Sequence, residues 1–131
     1  MNDEIRRLLD AAREVAAGAY APYSQFRVGA IVIDADGNEY RGVNVENAAY
    51  GSSVCAESSA IVAAVSAGVR AIDTVVVGCL DGGECTPCGN CRQLMREFGV
   101  RRIIVQDDAL EPVELTLDDL LPRSFGPESL G

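Results

Sequence analysis

Pro87-Cys88-Gly89-Asn90-Cys91 sets two thiols three positions apart at the head of a segment that reads as a helix. On a first helical turn two such sulfurs lie on adjacent faces, close enough to share one ion. The exposed N–H groups and the positive dipole end of that turn favour thiolates. By itself the spacing fits a zinc half-site, a redox pair or two buried cysteines. Cys55-Ala56-Glu57 lies well upstream, also at a predicted helix start, and it favours the metal. Two helix N-termini side by side would supply three thiolates and leave a fourth tetrahedral position for water, the catalytic arrangement. Glu57, two positions beyond Cys55, then projects near that water without joining the metal shell. There it can accept a proton and return it to a substrate. Without the cysteines Glu57 would read as a first-turn acid favoured by the helix dipole.

The elements that must position these residues follow from the hydrophobic pattern. Ile5, Leu8, Leu9, Ala12, Val15 and Ala16 recur at helical spacing and predict a helix over 3–18, stopped at Gly18. After a break at Ala21–Ser24, a strand from Phe26 to Ile33 turns at Asp34–Gly37 into a hairpin partner, Glu39 to Val43. A loop over 44–54 leads to a helix from Cys55 to Ala67, and the Val-rich run Thr74 to Cys79 reads as a strand buried on both faces. The Gly-bearing loop 80–87 delivers a third helix, Cys88 to Phe98. A strand at Arg102–Gln106, a short edge strand at Val113–Leu115, a helical turn near Leu117–Leu121 and an irregular tail over 123–131 complete the chain. This order describes an α/β sandwich with one mixed sheet, a single domain over 1–131.

Composition narrows the function. The chain of 131 residues carries a net charge of −9 and no histidine. Nucleic-acid binding ordinarily begins with a positive patch, and the densest basic group here, Arg92, Arg96, Arg101 and Arg102, is small. A small, weakly charged substrate is the expectation, with no nucleic-acid partner. No apolar run reaches membrane-spanning length and no leader opens the chain, so a cytoplasmic protein without membrane contact is expected. Five cysteines, an odd number, suggest metal or redox chemistry rather than a disulfide framework.

Four stretches, Ala21–Ala30, Gly42–Gly51, Cys55-Ala56-Glu57 and Pro87–Gln93, together resemble the small cytidine deaminases, and the resemblance runs from about Ala21 to Phe125. It implies a three-layer α-β-α sandwich around a five-stranded mixed sheet. It also implies one zinc ion per chain on Cys55, Cys88 and Cys91, with Glu57 as the proton carrier. A cysteine rather than a histidine as first ligand is similar to the nucleoside branch of the family. The implied reaction converts cytidine or deoxycytidine to uridine or deoxyuridine with release of ammonia, in pyrimidine salvage. Asn44 and Glu46 would grip the ribose hydroxyls and Phe26 would wall the base. The backbone at Ala56 and Thr86 would read the base edge. Tyr50, with Ala48-Ala49, and Phe125 would reach a neighbouring subunit's site in a homotetramer. Cys85, before Pro87 and outside the helix, matches no ligand of the family pattern, and Cys79 reads as core.

The match breaks at Ser58, where the family usually has an arginine directed at the zinc-bound sulfurs. The helix N-termini or Arg92 would then compensate, or the water pKa would be higher, or the substrate would be a modified or antibiotic aminated nucleoside, as for blasticidin S deaminase. Two rivals lie outside this chemistry. A non-catalytic zinc-stabilised binding module would close the fourth position with Cys85. A thiol–disulfide oxidoreductase built on Cys88 and Cys91 would leave Cys55 and Glu57 without purpose.

Overall fold

The computed structural model describes residues 2–130. Helix α1 (Asn2–Ala16) opens with Asp3 and Glu4 in its first turn and carries Arg13 in its last, each sign at the end of the helix dipole that favours it. Strands β1 (Val28–Asp34) and β2 (Glu39–Val43) form the hairpin. Helix α2 (Ala56–Ser66), strand β3 (Ile72–Cys79), helix α3 (Gly89–Glu97) and strand β4 (Arg102–Gln106) follow, then β5 (Pro112–Leu115) and the short α4 (Leu117–Leu120). The tail expected to be irregular ends in a 3-10 turn, Pro127–Leu130, and Gly131 lies outside the described residues. Another 3-10 turn, Tyr50–Ser52, interrupts the loop between β2 and α2.

One mixed sheet runs in the order β2-β1-β3-β4-β5, with only β3 and β4 parallel. The period of two along its strands divides the core. Ile31, Val76 and Ile104 face one way and meet Leu8 and Ala12 of α1. Ala30, Val32, Val75, Val77, Ile103 and Val105 face the other way, against Ala60, Ile61 and Ala64 of α2 and Met95 of α3. The result is the expected three-layer sandwich. No helix among the described residues is long and apolar enough to cross a membrane.

Chain direction gathers the chemistry at one edge. Val28 at the start of β1 stands opposite Cys79 at the end of β3, and Gly29 opposite Val43 at the end of β2. Because α2 and α3 each precede a strand that runs back toward this edge, both helices point their N-termini at it. Close approach makes the geometry tight: a Cβ on Gly42 would sit 2.7 Å from the carbonyl oxygen of Ala56, so β2 holds the first turn of α2 directly against its backbone.

The observed β1 starts two residues later than the pattern suggests. Ahead of Val28 the backbone donors are already taken, Phe26 N–H by the Ser24 hydroxyl and Arg27 N–H by the Asp81 carboxylate. With those donors used locally, the ladder begins at Val28.

Candidate active site

Cys55 and Cys88 are the N-cap residues of α2 and α3, both in extended backbone conformation, and Cys91 lies in the first turn of α3. Their sulfurs converge across the two helix ends: Cys55 Sγ is 3.7 Å from Cys88 Sγ, which is 3.6 Å from Cys91 Sγ. All three lie within 4.8 Å of one another. Thiolates at ~2.3 Å from a tetrahedral zinc ion stand ~3.8 Å apart, so the donor set fits that ion in number, type and spacing.

Without a cation two of the three crowded thiols, Cys55 and Cys91, resist ionising. Burial, then the adjoining Cys88, pushes the Cys55 thiol up to about 11. Burial and the charge of Glu57 push Cys91 up as well. Burial also opposes the Cys88 thiolate, but the N–H groups of Cys91 and Asn90 and the two neighbouring thiols outweigh it, and its net shift is downward. A shared divalent cation removes the conflict, because a coordinating thiol gives up its proton.

Two groups bear on this cluster from outside, Ser58 by contact and Glu57 by its charge. The Ser58 hydroxyl lies 3.3 Å from Cys91 Sγ. Glu57 is 4 % exposed, and burial raises its carboxyl above the ordinary carboxylate range. Arg92 does not supply the compensation considered for it. Its guanidinium donates to the carbonyls of Pro87, at 2.7 Å, and Leu120, at 2.8 Å. Cys85 and Cys79 are both buried and stand outside the sulfur cluster, so the closed-site rival lacks its fourth thiol.

A cleft of about 420 Å³ opens over Glu57, Cys55 and Cys88. Phe26, Asn44, Glu46, Ala56 and Thr86 all line it. Asn44 continues the β1–β2 pairing with its side chain: Oδ1 accepts from Val28 N–H and Nδ2 donates to the Phe26 carbonyl, both at 2.8 Å. Glu46 accepts from the Ser24 hydroxyl, from Tyr23 N–H at 2.9 Å and from Ser24 N–H at 3.1 Å. The Ser24 hydroxyl first, then its amide, hold the Glu46 carboxyl below its ordinary range.

Tyr50 stands apart from this cleft. It is 76 % exposed, lines an adjoining hollow with Glu46 and Val54, and meets Tyr23 edge-on at 6.2 Å. Phe125, 60 % exposed, lies outside the cleft lining; its carbonyl accepts from Gln93 on α3. Sequence reasoning passed over Ser24 and Glu84, which also line the cleft. A Ser two positions before a wall residue was the available sign for the first. For Glu84, inside a Gly-bearing loop, there was none.

The family model described as the cytidine and deoxycytidylate deaminase zinc-binding region matches residues 2–107. The chain belongs to this family. It is 37% identical over 129 residues to a cytidine deaminase of Sporosarcina psychrophila, covering 97% of this chain and 95% of that protein. It is 40% identical over 121 residues to the cytidine deaminase of Mycobacterium tuberculosis, covering 91% and 87%. The crystal structure of cytidine deaminase from Burkholderia pseudomallei superimposes with a TM-score of 0.83 at 38% identity, over 91% of this chain and 97% of that one. The family's zinc-binding region thus spans both cysteine-bearing helix ends.

Proposed function

We propose that this chain is a zinc-dependent hydrolase that converts cytidine and deoxycytidine to uridine and deoxyuridine with release of ammonia. One observation carries the reading: three sulfurs at two helix N-termini meet beside a buried carboxylate on the floor of a nucleoside-sized cleft. The named relatives, all cytidine deaminases, support it.

Cys55, Cys88 and Cys91 hold the ion in this reading. Bound there, zinc supplies Lewis acidity that brings the ionisation of water toward neutral pH. Glu57 takes a proton from the attacking water and delivers it to the ring nitrogen beside C4. Burial, which raises its carboxyl above the ordinary carboxylate range, favours a group that accepts a proton and holds it for delivery. The water oxygen bonds to C4 and the exocyclic C–N bond breaks. One proton of the water stays on the ring nitrogen and the other departs with the amine as ammonia.

Phe26 offers its ring to the flat base, and the backbone at Ala56 and Thr86 faces the base edge. Glu46, kept ionised, accepts from a ribose hydroxyl, and the remaining amide N–H of Asn44 donates to one. Every charged side chain lining the cleft is acidic, Glu46, Glu57 and Glu84, which favours an uncharged nucleoside over a nucleic acid. We assign Tyr50 and Phe125 to neighbouring subunits' sites in a homotetramer, read 1–131 as one catalytic domain, and place the protein in cytoplasmic pyrimidine salvage.

The test is ammonia release from cytidine and deoxycytidine by the zinc-loaded protein, with Glu57→Gln alongside. Wild type turns over, and the variant loses at least ~10²–10⁴-fold while keeping its metal. A folded protein with stoichiometric zinc and no turnover overturns the assignment and directs the search to modified aminated nucleosides and to Ser58→Arg.

A further inference from the structure

Strands β3 and β4 pair from Thr74 opposite Arg102 to Val76 opposite Ile104. Beyond that point, at the edge that carries the site, the side chain of Gln106 spans the two strands. Gln106 is fully buried. Its Oε1 accepts from Cys79 N–H at 3.1 Å, and its Nε2 donates to the Gly83 carbonyl at 2.6 Å and lies 3.3 Å from the Gly82 carbonyl. Its backbone pairs with Cys85 in both directions, at 2.8 and 3.3 Å. Only a carboxamide presents an acceptor and two donors on one planar group, and asparagine is a methylene too short for the same span.

The segment held in this way builds two walls of the cleft. Gly82 packs so closely on Phe26 that a Cβ there would sit 2.5 Å from the ring carbon Cε1. Glu84, Cys85 and Thr86, further along the same segment, line the cleft themselves. The metal ligand that follows has its own anchor, because Arg92 grips the Pro87 carbonyl next to Cys88. Gln106 itself is absent from the cleft lining.

We infer that Gln106 is a positioning residue that sets substrate affinity: by clamping Cys79–Cys85 it fixes where the Phe26 ring and the Glu84–Thr86 lining stand in the cleft that takes the base. The inference rests on the nucleoside reading above for the identity of the base, and on the hydrogen bonds alone for the clamp.

Zinc-loaded Gln106→Glu and Gln106→Met enzymes test it. The first replaces both donors with a carboxylate facing two carbonyls, and the second removes every polar partner at nearly constant shape. The expected result is a KM for cytidine raised about tenfold with kcat within about threefold of wild type, zinc retained, and faster amide exchange over 79–86. Gly82→Ala, which displaces Phe26 from the same segment without touching Gln106, should raise KM as well. Combined with Gln106→Met it should raise KM by less than the product of the two single effects. Should a Gln106 variant fail to fold, Gly82→Ala alone decides, and an unchanged KM there overturns the inference. Folded Gln106 variants with an unchanged KM overturn the affinity role, as does zinc loss accompanied by parallel falls in kcat and stability. A wild-type enzyme inert toward cytidine and deoxycytidine overturns the cytidine assignment and the affinity role together. Even then, unaltered exchange over 79–86 in the variants separately overturns the clamp.

Discussion

Three thiolates around a divalent cation leave one net negative charge, and nearby dipoles must offset it for water to ionise readily. The two helix N-termini do part of this. Ser58 adds to it: a thiolate has no proton to give, so with a metal bound the hydroxyl 3.3 Å from Cys91 Sγ would be the donor. Ser58→Ala should therefore weaken zinc binding about tenfold, read by competition with a chromogenic chelator, while Ser58→Thr keeps wild-type affinity. Equal affinity in all three proteins would remove Ser58 from the metal's support. The candidate ligands and Glu57 were legible in the sequence because their spacing is local, Cys-x-x-Cys and Cys-x-Glu. The Ser58 contact was not, since it joins two helices that only the folded sheet brings together. The same distance hid the use of Arg92, whose partners, the Pro87 and Leu120 carbonyls, lie on the loop before α3 and in α4.

At the scale of elements, what matters is how firmly two helix ends are held to one sheet edge. Periodicity located β2 and β4 to the residue and missed the start of β1 by two, because side chains from Ser24 and Asp81 had claimed the preceding amides. It placed Cys55 and Cys88 inside their helices, whereas each is the extended cap in front. Cysteine is not among the residues that mark a cap, and helix boundaries are defined only to within a residue or two, so spacing cannot separate a cap from a first-turn position. The contact of Gly42 with the first turn of α2 makes the cap's position testable. A Gly42→Ala methyl must push α2 off the sheet, at a cost of about 1–3 kcal/mol, and should carry Cys55 away from Cys88. Denaturant unfolding of the apo protein and zinc affinity should fall together; lowered stability with unchanged zinc affinity would show that the helix end adjusts independently. The loop after β3 is tied to the residue before β1, Arg27, whose guanidinium and amide both meet Asp81. The Arg27 guanidinium first, then its N–H, hold the Asp81 carboxyl at about 2. Since the folded value lies below the unfolded one, the tie stabilises above the ordinary carboxylate range and is lost as pH falls through about 2. In Arg27→Ala the NMR titration midpoint of Asp81 should move up only part of the way to 3.8, because the amide donor remains.

For the molecule as a whole, the sheet and its helices bury their apolar faces, yet a set of large side chains stays in water. Tyr23, Tyr50 and Val54 are exposed on the hollow beside the cleft, Tyr20 and Val45 are exposed on the bridged backbone next to Val54, and Phe125 is exposed on the tail that Gln93 and Arg96 fasten to α3. A chain of 13.9 kDa has little surface to spare for so many apolar groups unless another copy covers them. Composition gave no hint of where such residues would cluster, because the hollow is assembled from the loop before β1 and the loop before α2. If subunits complete one another's sites, sedimentation should give four times the chain mass, and two defective subunits should repair each other. Phe125→Ala leaves its own Glu57 intact but denies an aromatic side chain to a neighbour; Glu57→Gln does the reverse. Each homotetramer should be weakly active or inactive. After mixing, denaturation and refolding, hybrid assemblies should regain activity, because some sites then combine an intact Glu57 with a neighbour's Phe125. With equal amounts of the two chains about a quarter of sites have that combination, if one neighbour serves each site and assembly is random. Activity that stays at the sum of the separate variants would mean that each subunit works with its own residues alone, and that the exposed aromatic patch serves assembly without entering the chemistry.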